Sequence, residues 1–103
     1  MTNKIKVLIA DDNKEFCAQC SALLRTYGYE TVVAPKDGFR VVELVEENQP
    51  NIVLLDVFMP RLDAIGVMKT IRESQISVQP LFMMMSTFDN PGLERELLNS
   101  GAS

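Results

Sequence analysis

Four short apolar runs alternate along this chain with longer amphipathic stretches, and no other feature limits the available folds so sharply. Ile5–Ala10 (IKVLIA), Tyr29–Ala34 (YETVVA), Asn51–Asp56 (NIVLLD) and Leu81–Met85 (LFMMM) each read as a strand. The third and fourth are almost wholly apolar, as strands buried on both faces of a parallel sheet are. Between them the periodicity turns helical. Phe16, Cys17, Cys20, Leu23, Leu24 and Tyr27 recur at helical spacing, and Gly28 supplies the stop. Asp37 is placed to cap a second helix, carried by Val41, Val42 and Val45 and running to about Asn48. A third turns Ile65, Met68 and Ile71 inward and fades near Ser74; a fourth starts at Pro91 behind an Asn90 cap and runs to Ser100, where Gly101 ends it. The order βαβαβαβα predicts an α/β fold: a doubly wound parallel sheet with right-handed crossovers and helices on both faces.

With 103 residues, one domain with a single core is expected. Apolar residues make up 47% and charged residues 23%, ordinary for a globular chain and wrong for a disordered one. The net charge of −4, with acidic residues spread along the chain, argues against a domain that grips nucleic acid by its own charge. The longest apolar run, Leu81–Met85, falls far short of a membrane span, and VLIA after the start is too brief for a signal-peptide core. The reading is cytoplasmic, with no membrane partner. Cys17 and Cys20 form a C-x-x-C, but both sit in a helical pattern, and without histidine or a second cysteine pair no soft-ligand zinc site can be completed. Core packing is the expectation for both, as it is for Met83, Met84 and Met85. The acidic residues from Glu43 to Glu47 read as a solvated helix face.

Chemistry collects where the strands end. Open parallel sheets bind ligands outside the carboxyl ends of their strands. Strand one ends at Asp11-Asp12, strand three at Asp56 and strand four at Ser86-Thr87. A lone Asp after a strand is as readily a helix cap, and Asp12 taken alone could be one. Three carboxylates at one rim are a different matter: at about 4 Å each pair repels by roughly 4 kcal/mol at an effective dielectric of about 20. Lys14 is the only flanking cation in the sequence. A hard divalent cation, Mg²⁺ or else Mn²⁺ or Ca²⁺, would offset the repulsion, and Mg²⁺ typically binds in this way beside a phosphate. A carboxylate can attack phosphorus, and a nearby hydroxyl can hydrogen-bond the transferred group.

The segments IADDN (9–13), LLDVFMP (54–60) and MSTF (85–88) resemble the three signature regions of response-regulator receivers, in order and at the right spacing. The resemblance runs along the whole chain and implies a flavodoxin-like fold. It implies that Asp11 and Asp12 are the acidic metal-binding pair, that Asp56 is a phosphoacceptor and further metal ligand, and that Phe58 lends a backbone carbonyl to the metal. Ser86 would be the hydroxyl that senses the phosphoryl group. It further implies a histidine kinase or histidine phosphotransferase as donor, a receiver dimer, and DNA contact only through an output domain outside this chain. More narrowly, KIKVLIADDN, RESQISVQP and LLNSGAS are similar to the receivers of the stage zero sporulation transcription factors of endospore-forming bacteria, which are regulated through a phosphorelay.

Two departures from the receiver pattern stand out. Asp63 is followed by Ala64 where receivers usually place glycine, so a loop of different geometry or one under strain is expected, with Gly66 absorbing part of it. The chain also stops at Ser103, before the fifth strand that carries the family's active-site lysine, so residues 1–103 read as an incomplete receiver with strand four at the sheet edge. No other lysine is expected to fit, since Lys69 lies on the third helix and Lys36 follows the second strand. Weak or absent phosphorylation of these residues is the corresponding expectation. A signalling domain, catalysing at most its own phosphotransfer and dephosphorylation, is therefore the leading reading. The alternative is a pseudo-receiver, a protein-interaction module or inactive fragment that is never phosphorylated. A phosphatase or flavodoxin is disfavoured, because Phe58 stands where a second Asp would be needed and no glycine-rich phosphate loop follows strand one.

Overall fold

The computed structural model describes residues 4–56, 59, 61–85 and 91–103. Along the chain they form β1 (Lys6–Ala10), α1 (Lys14–Thr26), β2 (Glu30–Ala34), α2 (Gly38–Asn48), β3 (Ile52–Asp56), α3 (Ala64–Glu73), β4 (Leu81–Met85) and α4 (Pro91–Ser100). The strands pair in parallel in the order β2-β1-β3-β4. This is the doubly wound, flavodoxin-like α/β arrangement, and the chain reverses direction across the sheet between β1 and β3.

Period-2 alternation along the strands divides the core in two. Leu8 and Ala10 of β1 with Val53 and Leu55 of β3 face α2, α3 and α4, where Val41, Val45, Val67, Met68, Ile71 and Leu97 close over them. On the opposite face Val7 and Ile9 meet Cys17 of α1, with Cys20, Leu24, Ile52, Leu54 and Met85 packed around them. The α1 face differs from expectation. Cys17 and Ser21 are buried and Cys20 and Leu24 half-buried, while Phe16, Leu23 and Tyr27 are exposed. Both stripes are helically spaced, and the sheet accepts only one.

Caps explain the helix limits. Asp37 caps α2 by accepting from the Phe39 N–H at 3.0 Å, as expected, and Asp63 caps α3 by accepting from Gly66 at 2.8 Å. Gly28 (φ +88) and Gly101 (φ +123) take the left-handed turns that stop α1 and α4. The expected Asn90 cap lies outside the described residues. Met83 is 42% exposed, so it is not core filling; Met84 and Met85 do pack against the two clusters. β4 is the outermost strand, and its Phe82 carbonyl accepts from the Ser103 N–H at 2.8 Å beside a parallel bridge to Ala102. The last residues thus cover part of the edge expected to be bare.

Candidate functional site

The carboxyl ends of β1, β2 and β3 make the rim. Continuing the ladder one step beyond Ala10↔Leu55 sets Asp11 beside Asp56, and Asp56 is in register with Met85 at the end of β4. The Asp11 N–H still donates to the Ala34 carbonyl at 3.2 Å, so the rim begins on fixed backbone. Asp11 Oδ1 accepts from the Asn13 N–H at 2.8 Å, and Asn13 in turn caps α1 by accepting from Phe16 at 3.0 Å. Asp12 is therefore no helix cap. Its Oδ1 accepts the backbone N–H of Lys36 at 2.8 Å, which ties the end of β1 to the loop after β2.

Lys36 overturns the expectation that no other lysine fits. Its Nζ lies 3.0 Å from Asp56 Oδ2, both side chains being partly buried. In the order β2-β1-β3, β2 and β3 flank β1 at about 10 Å from each other, twice the strand spacing. The lysine stem crosses that gap over the end of β1. The strand order was the signal that could have revealed this, because it sets the ends of strands two and three on either side of one acidic turn. The Asp56 carboxylate holds the Lys36 ammonium above the ordinary lysine range through their hydrogen bond and charge, with Asp11 and Asp12 adding to the effect and desolvation opposing it. All three carboxylates therefore act on one ammonium, which supplies part of the neutralisation the sequence demanded.

The loop that follows Asp56 is anchored to α2. Arg61 Nη1 donates to Asp37 Oδ2 at 2.9 Å, and the guanidinium lies 4.9 Å from the centre of the Phe39 ring. These contacts hold Arg61 at φ +72, so the left-handed position falls there and not at Ala64. Ala64 itself is the first residue of α3 and buried at 1% exposure; the loop's left-handed non-glycine residue is Arg61, three positions earlier. Met59 is buried in the larger core cluster. Phe58, Pro60, Ser86 and Thr87, named from the sequence, lie outside the described residues. Burial first, then the charges of Asp11, Cys20 and Asp12, push the Cys17 thiol up. Its Sγ donates to the Asp11 carbonyl at 3.4 Å, and both cysteines are free thiols. A raised thiol is poorly nucleophilic, which suits a packing role.

Every acidic donor at the rim is a carboxylate oxygen, the ligand type of a hard divalent cation. Their chemistry fits such an ion, but they are not gathered around one point: among the described residues no three His, Cys, Asp or Glu side chains form a metal-holding cluster. At Asp56 the Lys36 ammonium supplies one positive charge at 3.0 Å.

The family model for the response regulator receiver domain matches residues 7–103, and the chain belongs to that family. A probable transcriptional regulator, ycf27, of Galdieria sulphuraria is 39% identical over 90 residues, covering 86% of this chain and 34% of the relative. The chain thus spans about a third of that relative's length. Among solved structures, the receiver domain of the Francisella response regulator 1452 is 30% identical with a TM-score of 0.81, the match covering 97% of this chain and 80% of that one. A fold likeness at 23% identity and TM-score 0.81 is found in the co-crystal structure of the Saccharomyces cerevisiae histidine phosphotransfer protein Ypd1 with the receiver domain of its downstream response regulator Ssk1, covering 100% of this chain and 77% of that one. Receivers are signalling domains.

Proposed function

We propose that Asp56 accepts a phosphoryl group from a phosphohistidine donor, making this chain the receiver unit of a two-component or phosphorelay regulator. The observation that carries this reading is Asp56 at the carboxyl end of β3, one step past the Ala10↔Leu55 pair that Asp11 also follows, with Asp12 and the Lys36 ammonium at the same rim. Asp11, Asp12 and Asp56, with the Phe58 carbonyl, would hold Mg²⁺ or another divalent cation. That ion neutralises charge on a transferred phosphoryl group when it is bound. Asp56 is the nucleophile, Ser86 hydrogen-bonds the phosphoryl oxygens, and the reaction is confined to the domain's own phosphorylation and dephosphorylation.

The donor is a histidine kinase or histidine phosphotransferase, a reading supported by the Ypd1 complex of the fold-related Ssk1 receiver. The output is transcriptional, through a DNA-binding domain beyond these residues, as the similarity to a probable transcriptional regulator supports. The likeness of KIKVLIADDN, RESQISVQP and LLNSGAS to sporulation receivers makes sporulation the process we assign. A receiver dimer and a cytoplasmic location complete the reading; among the described residues no helix is long and apolar enough to cross a membrane.

The test is incubation with radiolabelled acetyl phosphate, with Mg²⁺ and with a chelator. Label that needs the metal and disappears in Asp56→Asn supports the reading. Absence of label would support the pseudo-receiver alternative.

A further inference from the structure

We propose that β2 is a docking edge for an extended, acidic peptide segment of a partner protein, which adds to the sheet as a further strand. The order β2-β1-β3-β4 gives β2 one neighbour. The Glu30 N–H donates to the Ile5 carbonyl at 2.9 Å, and the Ala34 carbonyl accepts from the Asp11 N–H at 3.2 Å. The even-numbered residues of β2 therefore turn their backbone toward β1. Backbone direction alternates along a strand, so Thr31 and Val33 turn their N–H and carbonyl groups outward, away from β1. Such an edge supplies affinity through the main chain, and specificity comes from whatever receives alternate side chains.

That receiver is a groove of about 410 Å³ between α1 and β2. Thr31 and Val33 pair with Val7 and Ile9, so their side chains stand on the α1 face of the sheet. Val33 forms the floor and is still 49% exposed. Ala18, Ser21 and Ala22 form the wall, too small to fill the space above it. Ser21 is buried, and its hydroxyl finds no hydrogen-bond partner among the described residues. An acceptor brought into the groove removes that deficit.

Charge selects the occupant. No lining residue is acidic, although the chain as a whole carries −4, and the two ends of the groove are Lys14 and Arg25. Among the described residues neither is paired with a carboxylate. Arg25 spends its Nε on Thr31 Oγ1 at 3.2 Å, which leaves both Nη groups for a ligand. Eleven residues of helix separate the two cations, about 16 Å along the axis. In an extended segment, side chains four residues apart share one face and lie about 13 Å apart, a gap that long basic side chains close. Two acidic residues at that spacing, with a small apolar one midway, match the groove. A second copy of β2 fits less well, because in that strand Thr31 and Val33 occupy the matching positions and would leave both cations unanswered.

The probe is an acetylated pentapeptide amide with glutamate at its first and last positions and valine at its third. Binding to the full chain is followed by NMR titration, and amide hydrogen exchange is measured with and without the peptide. Exchange at Thr31 and Val33 is expected to slow by at least about tenfold, with smaller change at Val32 and Ala34, whose amides already face β1. Replacing both glutamates of the peptide by lysine is expected to weaken binding by about tenfold or more, and the double variant Lys14→Glu, Arg25→Glu should reverse that preference. A glutamate peptide that does not bind at millimolar concentration overturns the proposal, as does equal binding of the lysine peptide to wild type. Binding that leaves Thr31 and Val33 exchange unaltered shows a groove ligand that is not a strand, and overturns it too. Slowed exchange at these amides that depends on protein concentration without any peptide assigns the edge to a second copy instead. If the double variant does not fold, the comparison of the two peptides on wild type decides alone.

Discussion

Gln49 follows α2 at φ 46 and ψ 60, a left-handed conformation that an L side chain adopts against steric resistance. Its N–H to the Val45 carbonyl, at 2.8 Å, does not need the side chain. Gln49→Gly is expected to raise stability by about 0.5 kcal/mol, the relief of strain outweighing the freer unfolded chain, as read by urea unfolding. Lys36 gives a pH signature at the same scale. Its folded pKa stands above the ordinary 10.5, so its pairing with Asp56 contributes fully below the unfolded value and is lost as pH rises through the folded one. The stability difference between wild type and Lys36→Met should therefore hold steady from about pH 7 to about pH 9 and shrink above the ordinary lysine value. The rim positions of Asp11, Asp12 and Asp56 were legible from the sequence because they end or closely follow an apolar strand. Lys36 was not, because its partner is 20 positions away and two strands across, a distance that only the sheet order closes. Asp12 shows the converse. Its cap reading was chemically sound, yet Asn13 takes the cap and leaves Asp12 to hold Lys36.

The start of α2 packs directly on the loop after β3. A Cβ at Gly38 would run into the backbone carbonyl and Cβ of Leu62, and backbone cannot step aside as a flexible side chain can. Gly38→Ala is expected to cost about 1–3 kcal/mol in urea unfolding and to loosen the Asp37–Arg61 contact that holds the loop. Strand and helix bounds were readable to within a residue or so, because each apolar run ends at a cap or a turn residue. Facing was harder. In α1 the stripe of Cys17, Cys20 and Leu24 and the stripe of Phe16, Leu23 and Tyr27 are both helically spaced, and sequence alone cannot say which one a sheet will cover. β4 shows the same limit. LFMMM reads as buried on both faces, but as the outermost strand it has Leu81 and Met83 about half exposed while Phe82 is buried.

Across the whole molecule the sheet is covered unequally. α2, α3 and α4 close over one face, whereas α1 is the helix packed on the other. Neighbouring β4 residues should report this. Phe82→Ala is expected to cost about 3–5 kcal/mol and Met83→Ala less than about 1 kcal/mol, as compared by thermal unfolding. Similar losses at the two positions would contradict the described asymmetry. The same architecture brings the ends of β1, β2 and β3 to one rim, and the central claim is that Asp56 is phosphorylated there. Borohydride reduces an acyl phosphate to an alcohol, turning a phosphorylated aspartate into homoserine. Tryptic peptide 41–61 contains Asp56 as its sole aspartate. After treatment with acetyl phosphate and Mg²⁺, then borohydride, mass spectrometry of that peptide should find homoserine at position 56. An unaltered Asp56, or homoserine at Asp11 or Asp12 instead, would contradict it.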